Sequence, residues 1–495
     1  MPELPARGIA GTPAVTDPAL RVTPDASRRR LLIDEPQGTR WCTLMIGLPG
    51  EEVPGFEPGE GELLLSRSDA VETRVRLFDD LDSWTLSVSA DNRGDRPVEL
   101  PDLGLAVVPA DGVSGWAWTT DLDGFIALAP PQGEGPVVVL RLRQGFLRAA
   151  KDVPAFASQP QPGTAFHLAP PHGTLGAFRR HQASLTIERR ATLAGLGALL
   201  PAWLPEVIVD AGDEVEFRTP DEGVVGGPHM RVTHVDAVAV VGGDRPGHGA
   251  VSLHGVQGVR RVSIASAPRL EELVPPLVEV TKSRRPSSRS SGAGLLVAEA
   301  MGRGLCADPE SALDWLERED WLDRRDLESV AIAAVLAGAT RDESLLADAW
   351  GTLDECAVAP GFGMVAMKLL LTSFGVSGGA PARVQDVLTR RSDSDLANLE
   401  LALVARQFGE RSASLLDGLI NSLGDLLPGQ SLGVSAQEAA RRIGLLRLSP
   451  ESWAGSIRAA RCAEKAQRLL LADEAQRDHV DAAALGWLLL GELGI

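Results

Sequence analysis

Residues 281–292 read TKSRRPSSRSSG, running from Thr281 to Gly292 with serine, proline and arginine and no apolar side chain. That is the composition of a solvated linker rather than a packed element. It predicts a domain boundary, because the residues on either side differ in texture. Arg284, Arg285 and Arg289 could contact phosphate, but a short basic stretch between acidic segments reads first as a hinge.

Before the linker the period is two. Trp84, Leu86, Val88 and Ala90 alternate with Thr85, Ser87 and Ser89, which predicts a half-buried antiparallel strand. The same alternation recurs at Val138/Leu140/Leu142 and at Val215/Phe217, with turn signals such as Asn92-Arg93-Gly94-Asp95 between runs. Strands at short spacing without helical periodicity predict a large antiparallel β-sandwich over 41–280. Residues 1–40 carry little periodicity and read as an irregular N-terminal segment.

After the linker the period becomes 3.6, and 293–495 reads as an α/α helical array of roughly ten helices. Asp308-Pro309-Glu310 and Ser449-Pro450-Glu451 look like helix starts, and Ser435-Ala436-Gln437-Glu438 looks like a capping box. Val480, Ala484, Trp487, Leu488 and Gly491 fall on one stripe of the last helix. Asp314 to Trp321 reads as an amphipathic helix with a solvated acidic face. The fold class expected is therefore multidomain, β then α.

The 495 residues carry a formal charge of −19, which repels phosphate backbones and anionic lipid, so neither nucleic acid nor a membrane surface is expected as a partner. No apolar run reaches the length of a bilayer span, and the N-terminus lacks a signal-peptide pattern, so a cytoplasmic location is expected. The four cysteines stand singly and read as buried thiols. The chain has no tyrosine, which removes phenol acid/base chemistry. Nucleotide-binding glycine loops, the GxSxG elbow and HExxH are absent, so no cofactor is expected and whether the chain is an enzyme stays open.

Three clusters stand out. Seven of the eight histidines fall between His167 and His254. A metal is the lesser reading there: the odd spacing of His229 and His234 puts them on opposite strand faces, and Pro246, Gly247 and Gly249 mark His248 as a loop residue. Trp116 and Trp118 share a strand face that leads into Asp121 and Asp123, a set suited to stacking on a sugar ring and binding its hydroxyls. The competing account is two core tryptophans and a polar turn. Arg179 and His181 would share one strand face and Phe178 and Arg180 the other, which marks either a charged edge strand or the lining of a polar cleft.

The order of sandwich, linker and helical domain, together with the strand-turn-strand run Ser89 to Val98, resembles the galactose-mutarotase-like sandwich plus helical toroid of several glycoside hydrolases and phosphorylases. The resemblance is architectural and has no diagnostic motif. It implies a carbohydrate-binding or carbohydrate-active protein with its ligand at the sandwich cleft or domain interface, built from Trp116, Trp118, Asp121, Asp123, Arg179 and His181. It carries no catalytic residue over. The alternative is a non-catalytic scaffold whose helical half binds a protein partner.

Overall fold

The computed structural model describes residues 20–25, 30–47, 57–58, 62–67, 70–80, 83–100, 103–130, 135–150, 164–170, 173–192, 196–218, 223–235, 238–256, 258–283, 290–424, 435–477 and 480–492. Among the described residues, mostly antiparallel sheets occupy the first part of the chain, with 208–210 and 258–267 pairing in parallel, and twelve α-helices the last. The chain gathers into two compact units, residues 1–111 with 138–189, and residues 112–137 with 190–495.

In the first unit one sheet runs in the order 21–25, 30–34, 40–47, 104–109, 164–167 and 148–149. The other includes, in order, 137–144, 180–190, 83–92, 71–80, 62–67 and 57–58. The strand Ser83–Asn92 departs from simple alternation. Leu86, Val88 and Ala90 are buried, but Ser87 and Ser89 are buried too, because neighbouring strands and both faces are covered. Trp84 is only half-buried, and its Nε1 donates to Leu20 O at 2.8 Å. The strand Glu214–Arg218 in the second unit does alternate as expected, with Val215 and Phe217 inward. The Asn92 turn is an internal anchor: its Nδ2 donates to the carbonyls of Arg96, Leu175 and Gly176, while Oδ1 accepts from Gly94 N at 2.9 Å.

The second unit has a four-stranded sheet (208–210, 258–267, 247–255, 223–226) and a three-stranded one (214–218, 238–243, 230–235). The helices are α1 (Leu270–Ser283), α2 (Ser291–Gly302), α3 (Pro309–Glu317), α4 (Leu327–Thr340), α5 (Glu343–Glu355), α6 (Phe362–Ser377), α7 (Val384–Leu388), α8 (Asp395–Val404), α9 (Glu410–Gly424), α10 (Ala436–Arg447), α11 (Ser456–Gln476) and α12 (Ala482–Leu490). Thr281 to Ser283 are thus the last turn of α1, and Ser291 and Gly292 the first of α2, where the composition reads as linker. Residues 284–289, with Arg284, Arg285 and Arg289, lie outside the described residues.

The start signals differ in outcome. Asp308 caps α3 by accepting from Ser311 N at 3.0 Å, and Ser435 caps α10 by accepting from Glu438 N at 3.2 Å. Glu438 spends its carboxylate on Arg442 at 2.6 Å instead of closing the box. Ser449-Pro450-Glu451 makes a turn, and α11 begins only at Ser456.

Helices α2, α4, α6, α8, α9, α10 and α12 pack in succession, and α12 returns against α2. Consecutive residues of α4 from Ser329 to Ala337, and of α12 from Ala484 to Leu490, are all buried. Such helices are apolar on every side because neighbours cover every side. The single stripe expected for the last helix therefore understates its burial. By contrast α5 buries one stripe, Leu346, Ala349, Trp350 and Leu353. The one acid inside α2, Glu299, is matched by Lys368 Nζ of α6 at 3.0 Å. Asp314 belongs to α3, but Trp315 and Trp321 are core, with ring centroids 6.0 Å apart. Among the described residues no helix is long and apolar enough to cross a membrane.

The start of α6 shows how tightly the array closes. Gly361 has φ +101°, a left-handed conformation that favours glycine. At Gly363 an added Cβ would lie 2.5 Å from Glu400 Cβ and 2.8 Å from its carbonyl carbon. Gly363→Ala should therefore destabilise the protein by about 1–3 kcal/mol in urea unfolding. Gly375→Ala on the same helix, where the added Cβ meets nothing within 4 Å, should be neutral or stabilising by up to about 1 kcal/mol. Equal effects of the two would contradict this packing.

Candidate functional site

The hairpin Ser114–Thr119/Gly124–Ala129 belongs to the second unit. Trp116 and Trp118 do share a face, but they are 4% and 5% exposed, and Trp118 packs on Phe125 with centroids 6.1 Å apart. An indole buried to this degree offers no face to a sugar, so the stacking role expected of the pair is corrected: both are core. The two acids form a clasp. Asp123 Oδ2 lies 2.9 Å from Arg260 Nε, and Asp121 Oδ2 is 3.8 Å from Arg261 Nε. Arg261 N donates to Thr120 O at 2.9 Å, and the Arg260 guanidinium stacks over Trp203 at 5.8 Å. Asp121 is itself buried at positive φ (78°). These carboxylates hold the hairpin tip on the strand Gly258–Ala267. The double variant Asp121→Asn/Asp123→Asn should lower stability by about 1–3 kcal/mol in chemical denaturation, whereas an exposed polar turn would change by less than about 0.5 kcal/mol.

Arg179 and His181 belong to the first unit. The strand begins at Arg180, so Phe178 and Arg179 are turn residues, with Phe178 at φ +53° and 73% exposed. The apparent charge on both faces of a strand is thus produced by a turn. The strand Arg180–Arg190 is not an edge, since it lies between 137–144 and 83–92. Arg180 pairs with Asp91, and His181 Nε2 is 2.8 Å from Leu168 O. The histidines are dispersed: His234 Nε2 lies 3.2 Å from Val224 O, whereas His248 is not a loop residue but opens the strand Gly247–Gly255 and pairs with Asp473. His172 lies outside the described residues. Among the described residues no group of three or more His, Cys, Asp or Glu could hold a metal ion.

A constellation not singled out in the sequence forms where several helix starts gather. Ser291 Oγ of α2 donates to Asp326 Oδ2 at the start of α4 at 2.6 Å, and Gln437 of α10 reaches Asp481, the N-cap of α12, at 3.4 Å. Across this end, Arg441 of α10 pairs with Glu328 Oε1 of α4 at 3.1 Å, although α10 and α4 are not neighbours in the succession. Behind the pair, Trp487 donates Nε1–H to the same Glu328 oxygen at 2.9 Å, and the Arg441 guanidinium sits 4.2 Å from its ring centre. Trp487 is fully buried, while Glu328 and Arg441 remain 17% and 23% exposed.

Two further acids are buried nearby in the array. Glu400 of α8 accepts from Gly361 N and Gly363 N at 2.8–3.0 Å, meeting the free amides that open α6. Complete burial nevertheless pushes its carboxyl up to about 7, outweighing those amides and the nearby Arg441 charge. Burial likewise raises Glu474, which accepts from Asp481 N at 2.6 Å and pairs with Arg477 at 2.8 Å. The thiols of Cys42, Cys306 and Cys356 are raised by burial as well, as inert interior cysteines are.

The Glu400 shift sets a sign for stability. Between pH 4.5, its ordinary value, and about 7, the native state keeps a proton that the unfolded chain has released, so stability falls as pH rises through that window. A shift of this size corresponds to about 3 kcal/mol. Glu400→Gln should remove this slope, read as the difference between variant and wild-type unfolding free energies at pH 5 and pH 8. Parallel pH profiles would refute it.

The fold is shared with a solved polysaccharide lyase, at 12% identity and a TM-score of 0.54, over 92% of this chain and 81% of that one. A galactose mutarotase-like protein from Lactobacillus casei ATCC 334 matches at 11% identity and a TM-score of 0.24, over 35% of this chain and 100% of its own. A TPR-domain containing protein from Parabacteroides distasonis ATCC 8503 matches at 8% identity and a TM-score of 0.25, over 89% of this chain and 88% of its own. No family model and no curated protein matches the sequence. The lyase match shows a common fold, and it agrees with the architectural resemblance drawn from the order of β and α segments.

Proposed function

We propose that this protein binds carbohydrate at the end of the helical array where Glu328 and Arg441 reach solvent. The observation that carries the reading is the meeting of a carboxylate and a guanidinium from two helices at one partly exposed point, both held from behind by the buried Trp487 of a third. A carboxylate accepts from sugar hydroxyls, a guanidinium donates to hydroxyl or carboxylate oxygens, and the two together grip vicinal groups. The polysaccharide lyase whose fold the chain shares supports a saccharide as the ligand class. Binding is the function proposed: Glu400, the one acid here raised to about 7, is committed to helix amides.

The test is calorimetry and thermal shift of the full chain against neutral and uronate-containing oligosaccharides. A ligand at 100 times its Kd should stabilise by about 2.7 kcal/mol. Glu328→Gln and Arg441→Lys, checked for folding by circular dichroism, should each weaken binding at least about tenfold, which is about 1.4 kcal/mol. A panel with no response, or variants that bind like wild type, would overturn the assignment. The second reading, a partner surface on the helical half, draws on Leu371 and Phe374 of α6, exposed at 43% and 55% one turn apart, and an unresponsive panel would favour it.

A further inference from the structure

A separate cavity of about 250 Å³ lies in the second unit, between the start of the strand Gly247–Gly255 and the end of α11. Its lining includes His229, Arg245, His248, Ser266 and Gln476. Helix α11 is the element on which the four-stranded sheet rests: Asp210 pairs with Arg468 at 2.8 Å and His248 pairs with Asp473. The cavity is therefore walled on two sides by ion-paired elements.

Its polar lining is one-sided. Arg245 is exposed and forms no ion pair among the described residues, and the His229 ring has no hydrogen-bond partner among them. His229 sits at φ +66°, an uncommon conformation for a residue with a side chain, on the turn whose carbonyl accepts from Asp244 N at 2.9 Å. Gln476 is anchored through Nε2 to His248 O at 3.4 Å, and Ser266 brings a hydroxyl. Asp473 is taken by His248, and no carboxylate is among the described residues that line the cavity. In a chain of net charge −19, a cavity bordered by an unpaired guanidinium, two imidazoles, a hydroxyl and an amide is an exception. A guanidinium fork with flanking N–H and O–H donors matches a tetrahedral oxyanion.

We propose that this cavity binds phosphate, either the free ion or the phosphate of a small phosphomonoester, with Arg245 supplying the principal charge and His229, Ser266 and Gln476 the flanking donors. His248 acts as a positioning residue, since Asp473 fixes its ring and its carbonyl holds Gln476. The cavity's volume admits a phosphate and little more than one small ring beside it. This site is independent of the saccharide site proposed at Glu328 and Arg441, and neither depends on the other.

The experiment titrates the full chain with inorganic phosphate at constant ionic strength, following 31P line width and thermal stability, with chloride as the control and glucose 6-phosphate as a second arm. Wild type should respond to phosphate and not to chloride. Arg245→Gln should weaken phosphate binding at least about tenfold, and Gln476→Ala less, without altering the circular dichroism spectrum. A tighter response to glucose 6-phosphate than to the free ion identifies a phosphomonoester as the ligand, and equal or weaker binding identifies the ion itself. Titrations that are flat, that match chloride, or that coincide in wild type and Arg245→Gln would overturn the proposal. Glu328→Gln should leave the phosphate response unchanged, so that failure at one site is distinguishable from failure at the other.

Discussion

Burial of Trp487 is the constraint that the helical half answers to. Its ring sits beside Gly361 before α6, beneath the Arg441 guanidinium of α10, and within hydrogen-bond reach of Glu328 on α4. Three helices that are not its sequence neighbours thereby take their positions from one side chain. A fully buried tryptophan contributes several kcal/mol of packing, and its N–H must find an acceptor. Glu328 is that acceptor, and once it is placed the Arg441 charge has somewhere to go. The same closeness requires glycine at the start of α6, whose free amides are then met by Glu400. Packing, hydrogen bonding and charge at this end are one linked problem.

The order of sheet then helix, and caps such as Asp308 and Ser435, are legible in the sequence because they depend on neighbours a few residues away. What is not legible depends on partners far along the chain. Alternation at Trp84 to Ala90 marks a strand but cannot say that its polar face is covered too, since that depends on other strands. The stripe on the last helix is real but incomplete, because a helix surrounded by others buries every side. The cluster of Glu328, Arg441 and Trp487 has no local signature: Trp487 and Glu328 are 159 residues apart. A general hint was present in the all-apolar run of α12, where a single tryptophan with an N–H has to be paired with some distant acceptor.

The acids at Asp121 and Asp123 show the same limit from the other side. Their spacing and the adjacent tryptophans fit a ligand surface as well as a turn, and the decisive fact is the pair Arg260 and Arg261, more than a hundred residues onward. Arginines on that strand read as ordinary solvated charge until the hairpin tip is laid against them. The histidines dissolve in the same way into separate backbone and carboxylate contacts, leaving His229 and His248 as the two that border a shared space.

The clasp between the hairpin tip and Arg260 also bears on how the chain is made. The first unit is interrupted: it is left after residue 111, resumed at 138, and completed only at 189. On a ribosome the hairpin at 114–129 emerges well before the strand that supplies Arg260 and Arg261. During that interval Asp121 and Asp123 lack the Arg260 and Arg261 charges, and two tryptophans that end up buried wait on a hairpin whose unit has yet to be completed. Non-local pairing of this kind slows folding and leaves apolar surface transiently open. Two carboxylates at the tip place charge beside that apolar surface before the arginines are made, and charge so placed opposes the aggregation of exposed hydrophobic segments.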